Sequence, residues 1–305
     1  MISPKVKAVF FFCLALTFGI LIFGGYAINK EKPPIPAKVL DHSGSVLFTS
    51  EDVIGGQNYF YSRGGQHIGT IWGHGAYLAP DWSADFLHRM GLFLAARHNG
   101  LDAAQASTFT HDDFKNLDPA EQARLQVLVT QEIKKNRYDP ITGVLTLTEF
   151  QTEAFKALTG YYTELFQNGN DRMGLQPGIV RTAEEGRLVT VFFSWLSWAA
   201  GTQRLDAEHT YTTNWPYDPL VGNEPLPDFL IWSIVSVILL IFGIAGALFV
   251  YQRYVGQDEY GNKLRLDFPE PMPTPSQKAT LIYFLTAIAL FTLQLGLGAV
   301  TASAS

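Results

Sequence analysis

The chain has 305 residues, 47% of them hydrophobic and only 16% charged, against roughly 25% charged in typical soluble domains. With 13% aromatic residues the composition excludes a disordered polymer, and a net charge of −6 excludes the concentrated basic face of a nucleic-acid binder. The single cysteine, Cys13, excludes an intramolecular disulfide, a cysteine-based zinc site and the C-x-x-C-H anchor of a c-type haem.

The first predicted element is an apolar helix over residues 8–28, which carries no charge. It meets the roughly 20 residues a bilayer-spanning helix needs. The alternative is a cleaved signal peptide, but the apolar run is long for one and no A-x-A exit precedes Lys30. Residues 1–28 are therefore read as a cytoplasmic tip and an uncleaved transmembrane helix. Residues 29–228 follow as an extracytoplasmic domain, long enough to bury a core of its own. It opens with KEKPPIPAKV, whose prolines favour an extended chain.

Within that domain Asp81 is placed to cap a helix carrying Phe86, Met90, Phe93 and Leu94 on one face. Asp118-Pro119-Ala120-Glu121 reads as a capping box with proline at the first helical position, followed by Leu125, Leu128, Val129 and Ile133. RYDPITGVLTLT, at residues 137–148, predicts a small hairpin around the Asp139-Pro140 turn. Thr148 to Gln151 is a second capping box, opening a helix with Phe155, Leu158, Tyr162 and Leu165 that Gly169 should stop. Thr182 to Glu185 is a third, leading into the aromatic helix VTVFFSWLSWAA. Trp195 and Trp198 on it read as core packing rather than a cofactor box. Tyr211, Trp215 and Tyr217, just before the next apolar window, are of the kind that sit at a membrane interface.

Two more windows read as spans, at residues 229–251 and 279–300. Residues 252–278 between them carry Arg253, Lys263, Arg265 and Lys278, and Lys5 and Lys7 precede the first window. Positive flanks stay inside, so the N-terminus and this loop are expected in the cytoplasm and the acidic domain outside. The fold class is thus mainly α, with transmembrane helices flanking an extracytoplasmic α domain that holds a small β-hairpin.

Candidate chemistry is sparse. His42, His98, His111 and His209 stand in polar, turn-like sequence and read as solvated. His67, His74 and His88 lie close together around GGQHIGTIWGHGAYLAPDW, but their spacing is not the i, i+4 pair of a helical zinc site. A structural role, with imidazoles bonded to loop backbone, is the expectation. No phosphate-binding glycine motif, G-x-S-x-G elbow or spaced carboxylate pair occurs, and the apolar windows hold no ionisable residue that would mark a proton or ion path. No residue is assigned as catalytic, cofactor-binding or metal-ligating.

Four segments also carry a resemblance. GTIWGHGAYLAPDWSADFLHR at residues 69–89, FFSWLSWAAGTQR at 192–204, YTTNWPYDPLVGN at 211–223 and PTPSQKATLIYF at 273–284 resemble the quinol-dependent nitric oxide reductases, in the same order. The likeness covers essentially the whole chain. It implies a bacterial inner-membrane protein of the haem–copper oxidase superfamily, working in denitrification and the respiratory chain. In that family an extra helix, an extracytoplasmic cytochrome c-like domain that has lost its haem c, and a second extra helix precede a catalytic core. The core holds haem b, haem b3 and a non-haem iron, and reduces two NO to N2O and water with electrons from the quinol pool.

At residues 301–305 the chain departs from the family. Members continue with a segment resembling T-A-H-Y, whereas here Thr301-Ala302 leads into Ser303, Ala304 and Ser305. The haem and iron ligands of the family would follow this point, so none is carried over and this chain is expected to bind no cofactor alone and to be inactive alone. Two explanations stay open: a truncated gene product, or one part of a split enzyme whose catalytic core is a separate chain. The expected partners are the lipid bilayer, the quinol pool by resemblance and such a core chain, with no nucleic acid. A membrane-anchored structural or sensor subunit docking on a separate respiratory complex is the alternative from another class.

Overall fold

A computed structural model describes residues 4–224, 227–255 and 275–304. The chain divides into two units, Glu31–Pro225 and a second made of Met1–Lys30 with Leu226–Ser305.

In the first unit the proline-rich lead runs into strand β1 (Lys38–Leu40), followed by β2 (Val46–Thr49) and helix α2 (Ser50–Ser62), counting as α1 the N-terminal helix Pro4–Glu31 of the other unit. Helices α3 (Trp82–His98), α4 (Ala103–Ser107), α5 (His111–Lys115) and α6 (Pro119–Lys134) come next. Strands β3 (Tyr138–Asp139) and β4 (Val144–Thr146) precede helices α7 (Glu149–Asn168) and α8 (Ala183–Gly201).

The expected hairpin is present, with β3 antiparallel to β4, but it is half of a larger sheet. The strand order is β2-β1-β4-β3, with β1 antiparallel to β2 and parallel to β4. The sequence predicts an extended lead and gives it no partner. The partner exists because Val39 and Leu145 both turn a buried side chain to the same core, and Lys38–Leu40 then pairs in register with Val144–Thr146. Three-residue strands are too short for alternation to announce them.

Helix α8 is the hub. It packs on α2, α3 and α7, and its buried side chains (Val189, Val191, Phe192, Phe193 and Leu196 among them) surround most of its circumference. Trp82, at the first turn of α3, stacks on Phe193 with centroids 5.4 Å apart and planes 6° from parallel. Phe166 and Tyr162 of α7 meet the same indole edge-on at 5.0 and 6.1 Å. Close approach of the helices depends on two glycines. A Cβ on Gly56 of α2 would fall 2.0 Å from the carbonyl oxygen of Leu188, and one on Gly186 would fall 2.1 Å from Thr163 Oγ1.

Capping follows the sequence with one exception. The Thr148/Gln151 and Thr182/Glu185 boxes form, Gly169 ends α7 at φ +73°, and Asp81 accepts from the amides of Ser83 and Ala84. At α6 Asp118 caps the amide of Ala120, but Glu121 does not close a box. Its carboxylate is taken by Arg124 at 2.9 and 2.6 Å, an i, i+3 pair that competes for the same oxygens. Helices α2, α4 and α5 lie beyond the sequence expectations. Each starts at a capping box whose third helical residue is Asp or Gln (Thr49/Asp52, Asp102/Gln105, Thr110/Asp113).

In the second unit the three expected apolar segments are helical: α1, α9 (Pro227–Val255) and α10 (Pro275–Ala304). In α1 the stretch Phe11–Glu31 is long and apolar enough to cross a membrane. Among the described residues it is the one helix that meets that test. The apolar stretches described in α9 and α10, Ile234–Ala247 and Ile282–Gln294, are shorter. Phe12, Ile22 and Phe23 of α1 are each two-thirds or more exposed, a surface suited to lipid rather than water. Most of the loop expected at 252–278, residues 256–274, lies outside the described residues.

Gly56→Ala should destabilise the first unit despite the better helix propensity of alanine, because the atom it meets is backbone. Overpacking of this kind costs about 1–3 kcal/mol, and thermal unfolding followed by circular dichroism should show a Tm drop of about 2–4 °C per kcal/mol. An unchanged Tm would mean that the α2–α8 crossing is looser than described.

Candidate functional site

Within the glycine- and aromatic-rich segment singled out in the sequence, residues 64–82, the stretch 69–81 is a loop tied together by one carboxylate. Asp81 is buried at 5% exposure and accepts five hydrogen bonds. Oδ1 takes the amides of Ser83 (3.1 Å) and Ala84 (3.0 Å) and the Ser83 hydroxyl. Oδ2 takes Thr70 Oγ1 and the amide of Gly73, both at 2.8 Å. Thr70 Oγ1 in turn accepts from the amide of Gly75 at 2.9 Å. One side chain thus caps α3 and closes the loop that leads into it, with charge-assisted bonds throughout.

Three indoles pin this loop to its surroundings. Trp82 Nε1 donates to the carbonyl of Ile68 at 2.9 Å. Trp72, held at φ +47°, donates its amide to Ser83 Oγ at 3.0 Å and Nε1 to the carbonyl of Leu196 at 3.1 Å. Its ring lies 5.6 Å from that of Trp195, whose Nε1 donates to the carbonyl of Pro34 at 2.9 Å. At the far tip Tyr77 is fully exposed.

His67, His74 and His88 are not brought together. His67 is exposed on a short 3-10 turn, Gly65–Ile68. His74 is exposed and meets the ring of Trp215 edge-on at 5.6 Å. His88 on α3 places Nδ1 2.8 Å from Oδ2 of Asp218. Among the described residues no group of three or more His, Cys, Asp or Glu side chains could hold a metal ion. The histidine that does approach His88 is His111, at the start of α5, with ring centroids 5.2 Å apart. The Asp218 carboxylate raises the pKa of His88 above its ordinary value, while desolvation and then Lys115 and His88 lower that of His111.

His98 corrects the sequence reading. Its polar surroundings in the sequence predict a solvated side chain, but it is half-buried in the last turn of α3, with Nε2 2.7 Å from Glu132 Oε2 and its ring edge-on to Phe150. The reason is tertiary: α6 lies alongside α3 and brings a carboxylate to the imidazole. His42 is exposed, and His209 is partly buried.

Three further polar side chains escape a reading of the sequence. Asp218 caps a 3-10 turn through the amide of Leu220 at 3.0 Å while its other oxygen holds His88. Asp85 accepts from Arg89 Nε at 2.8 Å and from the hydroxyl of fully buried Tyr162 at 2.7 Å; burial raises that phenol's pKa well above normal, so it stays a neutral donor. Lys134 donates to Oδ1 of buried Asn223, and burial pushes its pKa down to about 8. Asp218 and His88 are 130 positions apart, and no local signal links them.

Residues 36–217 match the family model of the NorB cytochrome c-like domain of nitric oxide reductase. No curated protein matches the chain. Whether such a domain could carry a covalent haem is decided by its residues, and those present do not fit one. The sole cysteine lies in α1, outside the matched range, and C-x-x-C-H is absent from the sequence. The helix junction is filled by Trp82, Phe86, Tyr162, Phe166 and Phe193, none of which lines the cavity of about 30 Å³ between α3, α6, α8 and the sheet; an open groove of about 410 Å³ lies apart from both, at His98, Glu132, Arg137 and Phe150.

His88 should titrate above pH 6.5 in histidine-selective NMR, and Asp218→Asn should bring it down. The pair's stabilisation is then fully present below pH 6.5 and is lost as pH rises through the folded-state value. An unshifted His88 resonance in the variant would show that Asp218 does not set its protonation.

Proposed function

Because the chain belongs to the NorB family of nitric oxide reductases through its cytochrome c-like domain, we propose that it forms the anchoring, extracytoplasmic part of a quinol-oxidising nitric oxide reductase. The reaction takes two NO and one quinol to N2O, water and quinone; the quinol supplies both electrons and both protons. The observation that carries this reading is the family match over residues 36–217, bracketed by the apolar helices α1 and α9.

These 305 residues support the reaction centre rather than hold it. The seven histidines all fall between residues 42 and 209, and α1, α9 and α10 contain none. Within the domain His88 is engaged by Asp218 and His98 by Glu132. By the family resemblance, haem b, haem b3 and a non-haem iron would be held by a core outside these residues, and metal ions there would supply the Lewis acidity that NO reduction needs. Alone, the chain is inactive.

The proposed setting is a bacterial inner membrane crossed by α1, α9 and α10, with the N-terminus inside and the acidic domain outside. Basic Lys5, Lys7, Arg253 and Lys278 flank the cytoplasmic ends in this arrangement. The Trp and Tyr residues near the return to α9 suit the interfacial layer.

Two readouts, NO reduction in membranes and thiol labelling in spheroplasts, test the reading. Membranes holding the chain alone should consume no NO when given quinol, and co-expression with a histidine-bearing core of the family should confer quinol-dependent N2O formation. Tyr77→Cys in a Cys13→Ser background should react with an impermeant maleimide in intact spheroplasts. Sustained NO reduction by the chain alone, or labelling of residue 77 only after lysis, would overturn the corresponding half of the proposal.

A further inference from the structure

The cavity of about 30 Å³ lies where α3, α6 and α8 face the sheet, and most of its lining is apolar, including Val39, Leu87, Met90, Ile133 and Leu145. Four polar side chains also reach it: Gln151, Ser194, Ser197 and Thr202. Ser197 is 1% exposed and its Oγ has no hydrogen-bond partner among the described residues. Buried hydroxyls are almost always paired, so an orphan of this kind calls for a missing partner.

Its neighbours in the lining are similarly under-used. Ser194 is buried and makes no side-chain hydrogen bond among the described residues. Gln151 accepts from the amide of Thr148 at 3.1 Å through Oε1, which leaves Nε2 without a protein partner among the described residues. Thr202 donates to the carbonyl of Ile133 at 3.1 Å and keeps its acceptor lone pairs.

We infer that this cavity is a built hydration site holding about two ordered waters that complete the hydrogen bonds of Ser197, Ser194 and Gln151, at roughly 10–15 Å³ of such volume per water. The polar lining supplies the two to four partners an internal water requires. A small apolar molecule of the same size would fit the space but leave the Ser197 hydroxyl orphaned, so water is the favoured occupant. The waters join the start of α7, through Gln151, to α8 between Trp195 and Trp198. They fix the register of α8 against the sheet at a level where no direct side-chain bond does so.

The test uses the full chain in detergent micelles with methyl-labelled Val, Leu and Ile. Water-to-methyl cross-relaxation should appear at Val39, Ile133 and Leu145, and pressurised xenon, the probe for a dry apolar cavity, should leave those methyl shifts unchanged. The combined variant Ser194→Ala, Ser197→Ala and Gln151→Leu should lose the water cross-peaks and acquire xenon-dependent shifts. Xenon shifts in the unmodified chain, with no water cross-peaks, would overturn the inference. That measurement on the unmodified chain does not depend on the folding of any variant.

Discussion

A buried carboxylate must satisfy its acceptors or be expelled, and Asp81 solves this by organising everything around it. Its five hydrogen bonds define where α3 begins and close the 70–75 loop. That start fixes Trp82 against Phe193, and the loop carries Trp72 to Trp195. Removing the carboxylate would free the first amides of α3, the amide of Gly73 and the hydroxyls of Thr70 and Ser83 together. The loop's glycines and tryptophans serve the same arrangement: Gly69 leaves room for the Trp82 indole, since a Cβ there would lie 2.1 Å from Nε1.

The family relation gives this packing its meaning. Indole, phenol and phenyl rings meet at the junction of α3, α7 and α8 in the domain's interior. Aromatic pairs in stacked and edge-on geometry supply large buried area with fixed orientation. The polar pairs His88–Asp218 and His98–Glu132 then tie α3 to the 218–223 turn and to α6. The domain is held together by contacts between its own side chains, many of them far apart in sequence.

Local chemistry was legible in the sequence. The caps at Asp81, Thr148 and Thr182, the stop at Gly169 and the turn at Asp139-Pro140 all depend on residues within a few positions of one another. What was not legible needed a distant partner. The parallel pairing of Lys38–Leu40 with Val144–Thr146, the hydrogen bond between His98 and Glu132 and the hold of Asp218 on His88 leave no local pattern. Glu121 illustrates the intermediate case, where two local motifs compete and Arg124 wins the carboxylate from the helix end. The imidazoles of His67, His74 and His88 are expected on loop backbone, but His88 meets the Asp218 carboxylate and the ring of His111, and His74 meets the ring of Trp215, partners that lie far away in sequence.

The central claim is that side chains, not a porphyrin, close the interior of the cytochrome c-like domain. The most direct test is an optical spectrum of the purified, detergent-solubilised chain with dithionite, together with iron analysis and a haem stain after denaturing electrophoresis. The aromatic interior predicts no Soret band at one haem per chain and no stain at the position of the 305-residue polypeptide. A stoichiometric haem spectrum from the chain alone that changes when the rings packed around Trp82 are truncated would contradict it, because a porphyrin at the junction of α3, α7 and α8 must displace those rings.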